Sequence, residues 1–294
     1  MNDEAVVLRL SDFSETSQVA TLLSRRHGIL RLLAKGARRS TKERFVPGLD
    51  LLEWGDVLYR PARGDGQLGT LAEWKQRELF LGLRDSLVAT QFAQYAAEIT
   101  TMLIAEDDPH EALFDALLAL LGGLAGDGGA GWIRDAGGPE RQQRPASSTD
   151  TRSTLVSARR LIGYQQTLIW DIGLMPQLDA CVACGRERAA GRAAYFSPKS
   201  GGVICRSCAA ERGDRLRLMK APTLDLLLQT TDADGPVDDA ARPPVDVGDA
   251  VKLVLGCFEF LDECMRRAAE RETQLSAACA RLIRREAPVP PAAG

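Results

Sequence analysis

Histidine and long apolar runs are scarce in this chain of 294 residues. Its two histidines, His27 and His110, lie far apart in the sequence, so the chain offers no histidine cluster for a catalytic metal. No apolar run approaches the ~18 residues of a membrane span, and the acidic start from Met1 to Glu4 differs from the basic start of a signal peptide. A Gly-rich Walker loop is also missing, so we expect no ATP hydrolysis. The absence of a membrane span and of a signal peptide favours a cytoplasmic protein.

Cysteine provides the strongest motif. Cys181 with Cys184 and Cys205 with Cys208 form two Cys-x-x-Cys pairs, a spacing that matches a four-cysteine zinc site. Four thiolates would fill the tetrahedral coordination sphere and leave no position for water or substrate, which predicts one structural zinc ion per chain. A disulfide interpretation is weaker because thiols stay reduced in the cytosol.

The first part of the chain has the period-2 alternation of β-strands. Five short strands in about seventy residues, without a long helix among them, are typical of a small closed barrel. The pattern alone fits an OB-fold or an SH3-like barrel. The predicted strands run from residue 6 to 10, 19 to 23, 29 to 34, 45 to 54 and 68 to 74, with turns at His27-Gly28 and before the last strand.

A basic segment lies within this predicted barrel. Between Arg25 and Arg44 the chain has eight basic residues and one acidic residue, and such an unbalanced run favours binding of a nucleic-acid backbone without reading its sequence. The alternative is a set of solvated charges. Nearby aromatics such as Phe13 and Tyr59 could stack on bases, but their spacing favours the core. The predicted DNA-binding residues are Arg25, Arg26, Arg31, Lys35, Arg38, Arg39, Lys42 and Arg44.

From Leu79 onward the apolar period becomes about 3.6, which predicts helices. His110, Glu111 and Asp115 could form an acid-base set, but acids in a first helical turn are the expected partners of the helix dipole. Residues 125–150 are rich in Gly, Pro, Ser and charge, so we expect a flexible insertion. Residues 225–249 carry seven acids and one base, which predicts an acidic loop at 231–250.

Three stretches of the sequence resemble the RecO family of bacterial recombination mediators. They are VLRLSDFSETSQVATLLSRRHGILRLLAKGARR from Val7, GLMPQLDACVACG from Gly173 and GGVICRSCA from Gly201. The resemblance implies an α+β chain in which an N-terminal OB-fold β-barrel precedes an α-helical domain interrupted by a four-cysteine zinc finger. It implies no catalytic centre.

The resemblance also implies a function and partners. Proteins of the family bind single- and double-stranded DNA, anneal complementary strands, and act with RecR to place RecA on strands coated by single-stranded-DNA-binding protein. They also bind the acidic C-terminal tail of that coating protein. Lys35 to Arg39 match the family's DNA-contacting loop, and Arg159 and Arg160 are the candidates for the tail-binding pocket. We expect a nucleoid-associated protein.

The expected domains follow from the same layout. They are an OB-fold DNA-binding domain at 1–78, a helical domain at 79–180 and 210–287, a zinc finger at 181–209, the insertion at 125–150 and a disordered tail at 288–294. Two other hypotheses remain open. One is an adaptor that holds proteins without touching DNA, and the other is a metal-dependent DNA-processing enzyme, for which the sequence offers no clustered carboxylates or histidines.

Overall fold

A computed structural model describes residues 1–36, 49–62, 64, 68–126, 151–212, 215–231 and 246–286 of the chain. The chain divides into two compact units. The first comprises Met1–Tyr164 with Thr273–Cys279, and the second comprises Gln165–Glu272 with Ala280–Gly294. The expected domain boundary at residue 78 therefore lies inside the first unit.

The first unit begins with a closed five-stranded barrel. Its strands are β1 (Asn2–Asp12), β2 (Gln18–Ser24), β3 (Gly28–Ala34), β4 (Trp54–Arg60) and β5 (Gly69–Glu78). The strand order is β1-β2-β3-β5-β4, and antiparallel pairing of β1 with β4 closes the barrel. This five-stranded closed topology is OB-like, as the sequence predicted. Inward side chains of all five strands fill the interior, among them Val7, Leu22, Leu32, Val57, Tyr59, Leu71 and Trp74.

The fourth strand corrects a sequence prediction. We expected it at 45–54, but β4 begins at Trp54, and residues 45–48 lie outside the described residues. Just before β4, Leu52 has a φ of 66°, which an extended strand does not allow. In β4 itself, buried Val57 and Tyr59 alternate with polar or exposed neighbours. The prediction followed the apolar residues before Trp54, whereas β4 itself contains two charged residues, Asp56 and Arg60.

The turn between β2 and β3 joins the barrel to the helices of the first unit. Gly28 has a φ of 62°, and a Cβ there would lie 2.1 Å from the backbone oxygen of Asp108. The Ile29 amide donates a hydrogen bond to the Ala105 carbonyl at 3.2 Å. Only glycine allows both this conformation and this close approach. The turn predicted from the sequence is therefore also the place where the barrel contacts the segment between α1 and α2, and we call it the docking point.

The helices of the first unit begin after a short 3-10 turn at Leu81–Asp85. They are α1 (Leu87–Leu103), α2 (Glu111–Gly126) and the first part of α3 (Thr151–Asp171). Ser86 caps α1 by accepting a hydrogen bond from the Ala89 amide. The Tyr164 hydroxyl in α3 lies 2.5 Å from Thr100 Oγ1 in α1. These bounds confirm the predicted helices.

The second unit contains the end of α3, a small sheet and two further helices. The sheet has the order β7-β6-β8, formed by β6 (Ala194–Ser197), β7 (Gly202–Ile204) and β8 (Arg217–Met219), with the short helix α4 (Arg206–Ala210) after β7. Strands β6 and β7 form an antiparallel hairpin. The helices α5 (Ala221–Thr231) and α6 (Val247–Ala269) follow, and Phe196 packs edge-on against Phe260 at 4.8 Å between ring centres. Helix α7 spans Ser276–Arg285.

Several predicted segments fall largely outside the described residues. Of the expected insertion, residues 127–150 are not described, while 125 and 126 belong to α2. Of the expected acidic loop, 232–245 are not described, and α6 already starts at Val247. The tail at 288–294 also lies outside. Within the described part of the chain, no helix has the length and apolar character needed to cross a bilayer.

The docking point at Gly28 yields a stability prediction. Gly28→Ala should lower the free energy of unfolding by at least ~2 kcal/mol, because the left-handed backbone costs about 1–2 kcal/mol and the new methyl group collides with Asp108. Urea denaturation measures the change. Gly163→Ala is the control, since a Cβ at Gly163 meets nothing within 4 Å and alanine favours the helix interior. Equal stability of the two variants would contradict the docking role.

Candidate functional site

The four cysteines of the two pairs form one cluster. The sulfur atoms of Cys181, Cys184, Cys205 and Cys208 all lie within 4.8 Å of one another, and those of Cys184 and Cys205 are 3.9 Å apart. Four sulfurs held 2.3 Å from a central tetrahedral metal lie about 3.8 Å apart. The donor set and its spacing therefore fit a metal ion, as the sequence predicted.

Local backbone structure brings these residues together. After Cys181, a turn closed by the Gly185 amide on the Cys181 carbonyl at 2.8 Å directs Cys184 back to the cluster. Gly185 adopts a φ of 71°, which explains glycine at that position. The β6–β7 hairpin returns the chain to Cys205, which precedes α4, and the Cys205 amide lies 3.3 Å from Cys181 Sγ.

The electrostatics of the cluster favour thiolate at one position. Burial raises the pKa of Cys181, but hydrogen bonds from the amides of Cys205, Ala183 and Cys184 outweigh it and lower the pKa to about 6. Hydrogen bonding of the Cys208 thiol to Cys205 and Cys184 raises its pKa to about 12. Some of the four thiols therefore stay protonated when no metal is bound. A bound cation would displace these protons. Metal affinity should accordingly fall as the pH is lowered.

Arg25, the first residue of the predicted DNA-binding set, is held by contacts inside the first unit. Its guanidinium pairs with Asp115 at 2.7 Å and with Glu4 at 3.4 Å. It also lies over the Phe114 ring, 4.6 Å from the ring centre. The contact with Asp115 raises the pKa of Arg25 despite its partial burial. These contacts give Arg25 a structural role between the barrel and α2.

Two further arginines of the set also have acidic partners. Arg26 donates to Asp3 at 3.0 Å, and Asp3 is nearly fully buried, with Ser24 as a second partner. Burial raises the pKa of Asp3, but the hydrogen bonds from Ser24 and Arg26 outweigh it and hold the pKa below its usual value. Arg31 lies 3.8 Å from Glu106. Both arginine side chains remain more than half exposed.

Lys35 differs from these three arginines. It is exposed at the end of β3, beside Gly36, whose φ is 74°. No acidic partner of Lys35 is found in the part of the chain that the structure describes. The other four predicted residues, Arg38, Arg39, Lys42 and Arg44, lie outside the described residues. Their contact with DNA stays a prediction, as does that of the described members.

The two arginines proposed for the tail-binding pocket lie on α3 in the first unit. Arg160 donates a hydrogen bond to the Gly123 carbonyl at 2.8 Å. Gly123 lies in the last turn of α2, where a cation stabilises the unpaired carbonyls. Arg159 is half-buried. Arg160 thus contributes to the end of α2, and the pocket itself stays a prediction.

Sequence reasoning missed residues that matter for the barrel surface. The acidic partners Asp3, Glu106 and Asp115 were not identified, because two of them are separated from their arginines by 75 and 90 positions. Phe13 was assigned to the core by its spacing but is 62% exposed in the β1–β2 loop, whereas Tyr59 is buried as expected. The β1–β2 loop is one of the ligand-binding loops of OB-folds.

An OB-like barrel, followed by helices and a cluster of four cysteines that can hold a metal ion, defines the class of protein. Residues 1–80 match the family model for the N-terminal part of recombination protein O, and residues 84–136 and 160–260 match that for its C-terminal part. The chain belongs to this family, RecO, which confirms the resemblance.

Three relatives illustrate the similarity, and each carries the name DNA repair protein RecO. The protein of Rhodopirellula baltica is 33% identical over 82% of this chain and 81% of its own length. That of Anaeromyxobacter sp. strain Fw109-5 is 30% identical over 86% and 87% of the two chains. That of Bacillus subtilis is 27% identical over 70% and 67%.

The different surroundings of Arg25 and Lys35 predict effects of different size on stability. Arg25→Ala should lower the free energy of unfolding by about 1–2 kcal/mol, through loss of an ion pair and a cation–π contact. Lys35→Ala should change it by less than ~0.5 kcal/mol, as for an ordinary surface position. Thermal unfolding of both variants measures the difference. If Arg25→Ala unfolds with the same free energy as the wild type, the contacts of Arg25 do not stabilise the fold. Arg25 would then again be a candidate for DNA binding.

Proposed function

We propose that this chain is a recombination mediator in DNA repair. It binds single- and double-stranded DNA, anneals complementary strands and, with RecR, helps to place RecA on strands coated by single-stranded-DNA-binding protein. The observation that carries this proposal is the match of both family models, which together span the barrel and the helical part. The relatives' name of DNA repair protein supports the same role.

The proposed DNA contact starts at the end of β3. Lys35 is exposed there, and the sequence adds Arg38, Arg39, Lys42 and Arg44 directly after it. A cationic strand end of this kind binds phosphates and releases their counterions, without recognition of bases. The exposed Phe13 of the β1–β2 loop offers an aromatic surface for base stacking. Annealing then follows from lowered repulsion between two strands, while base pairing supplies selectivity.

The proposed metal is zinc, one ion per chain. A four-thiolate set suits Zn²⁺ and closes its coordination sphere, so the ion would stabilise the fold rather than catalyse a reaction. Cys181 and Cys184 fix one side of the module, and Cys205 fixes the end of β7. Family membership further supports RecR and the tail of the coating protein as partners, with Arg159 and Arg160 as candidates for tail contact.

A test of the DNA contact replaces Lys35, Arg38 and Arg39 together with alanine. The plot of log affinity against log salt has a negative slope. Loss of three phosphate contacts should make this slope less steep by about 2 on single strands, since each contact contributes about 0.7. Fluorescence anisotropy over a salt series, followed by a strand-annealing assay with and without the coating protein, measures both effects.

The control for this variant removes the same charge elsewhere on the barrel. The control variant replaces three exposed residues of β1, β4 and β5 with alanine, namely Arg9, Arg60 and Lys75. It should keep most of the salt dependence of DNA affinity. If the variant that lacks Lys35, Arg38 and Arg39 retains the wild-type slope and affinity, the proposed contact is wrong.

A test of the metal centre combines elemental analysis with a cysteine variant. The purified wild type should contain one zinc per chain, and Cys184→Ser with Cys205→Ser should lose it together with much of the stability of the second unit. Cys264→Ala is the matched control, because Cys264 is outside the cluster. A wild-type chain prepared without chelator that contains no metal would rule out the centre.

A further inference from the structure

The four cysteines of the cluster differ in their access to solvent. Cys181 is buried, with 3% of its surface exposed, whereas Cys184 is exposed and both Cys205 and Cys208 are half-buried. In a closed four-thiolate site all four sulfurs are deprotonated ligands, so their charge does not distinguish them. Their access to solvent does. Cys184 is therefore the residue of the four that a small reagent in solution reaches most easily.

Hydrogen bonds protect Cys181 further. Its sulfur accepts a bond from the Cys205 amide at 3.3 Å, and the amides of Ala183 and Cys184 also donate to it. Such bonds stabilise the charge of a thiolate and so reduce its reactivity as a nucleophile. Burial and hydrogen bonding thus both direct an attack on the cluster away from Cys181 and toward Cys184.

A second sulfur lies close to that of Cys184 on the other Cys-x-x-Cys pair. The Sγ atoms of Cys184 and Cys205 are 3.9 Å apart. A disulfide bond is about 2.05 Å long, so the two sulfurs would need to approach each other by only about 2 Å. Cys184 lies in the turn that ends at Gly185, and Cys205 lies at the start of the short helix α4. The two pairs can therefore be joined by a small local movement.

We propose that the cysteine cluster is a reversible oxidation site for hydroperoxides, with Cys184 oxidised first and Cys205 as its disulfide partner. The Cys184 thiolate attacks one peroxide oxygen, the O–O bond breaks, and the leaving hydroxide takes up a proton to become water. The Cys205 thiolate then attacks the sulfenic acid on Cys184, the S–O bond breaks, and a second hydroxide leaves and is protonated. Two electrons pass from the two sulfurs to the peroxide. This inference rests on the metal centre proposed above.

The disulfide would replace the metal as the link between the two pairs. Oxidation leaves only two thiolates, Cys181 and Cys208, which are too few for a closed zinc site, so the metal should be released. The bond between Cys184 and Cys205 keeps the chain closed around the β6–β7 hairpin, which lies between them. Disulfides in cytosolic proteins are mostly transient and redox-sensing. A thiol reductant should accordingly reopen the bond and allow zinc to rebind.

The experiment treats the full chain, purified with zinc and freed of reductant without oxygen, with hydrogen peroxide. Absorbance of the chelator pyridylazoresorcinol follows zinc release, which should reach one ion per chain. Digestion with trypsin then locates the disulfide, because cleavage after Arg206 separates Cys205 from Cys208. Mass spectrometry should find peptide 161–186 joined to peptide 200–206, and fragmentation should place the bond at Cys184, with Cys181 alkylated. Dithiothreitol followed by zinc should restore the metal content.

Two matched variants test the order of reaction: Cys184→His and Cys208→His. Each keeps three thiolates and gains an imidazole, a ligand set that also holds structural zinc. Cys184→His should slow zinc release by peroxide at least about tenfold, because it removes the most accessible thiolate. Cys208→His should keep the wild-type rate, since Cys184 and Cys205 both remain. Cys264, which lies outside the cluster, should stay reduced in every sample.

The outcomes separate this inference from the metal centre. A wild-type chain that contains zinc but neither releases it nor forms the bond in peroxide overturns the oxidation site and leaves the metal centre standing. A disulfide within one Cys-x-x-Cys pair also overturns it, as does equal slowing by the two histidine variants. If Cys184→His binds no zinc, the disulfide found in the wild type decides. A wild-type chain without zinc overturns both the metal centre and this inference.

Discussion

The first unit depends on the close approach of the β2–β3 turn to the segment between α1 and α2. Gly28 allows this approach because a Cβ would overlap the Asp108 carbonyl. The amide of Ile29 then bonds to Ala105, and two arginines beside the turn reach acids of the helical part. A barrel of this size needs such support, since small domains bury little of their surface.

This contact between the turn and the helical part reduces the number of arginines in the basic segment that are available to bind an anion. In the sequence, the arginines at 25, 26 and 31 count fully toward a cationic stripe. In the folded unit, Arg25 is fixed between Glu4, Asp115 and Phe114, and Arg31 lies near Glu106. A charge engaged in this way must exchange one anionic partner for another in order to bind phosphate, which yields little net free energy. In the proposed DNA contact, binding strength on the barrel would therefore depend on cations without such partners, beginning with Lys35.

The sequence predicted the features that local patterns encode. The cysteine spacing located the four-cysteine cluster, and period-2 alternation located most of the barrel. The position of β4 was wrong because an apolar run ended in a turn at Leu52 while the real strand alternates with Asp56 and Arg60. Ion pairs such as Arg25 with Asp115 could not be predicted, since their partners are 90 positions apart and only the tertiary fold brings them together.

A cluster of four cysteine thiolates suits a structural metal ion better than a catalytic one. An ion held by four thiolates would have no open position, so its contribution would be to fix the backbone that leaves the cluster. Cys205 follows β7, and β7 pairs with β6 through Tyr195 and Ile204. A hairpin held at its base in this way presents its turn residues in a fixed arrangement.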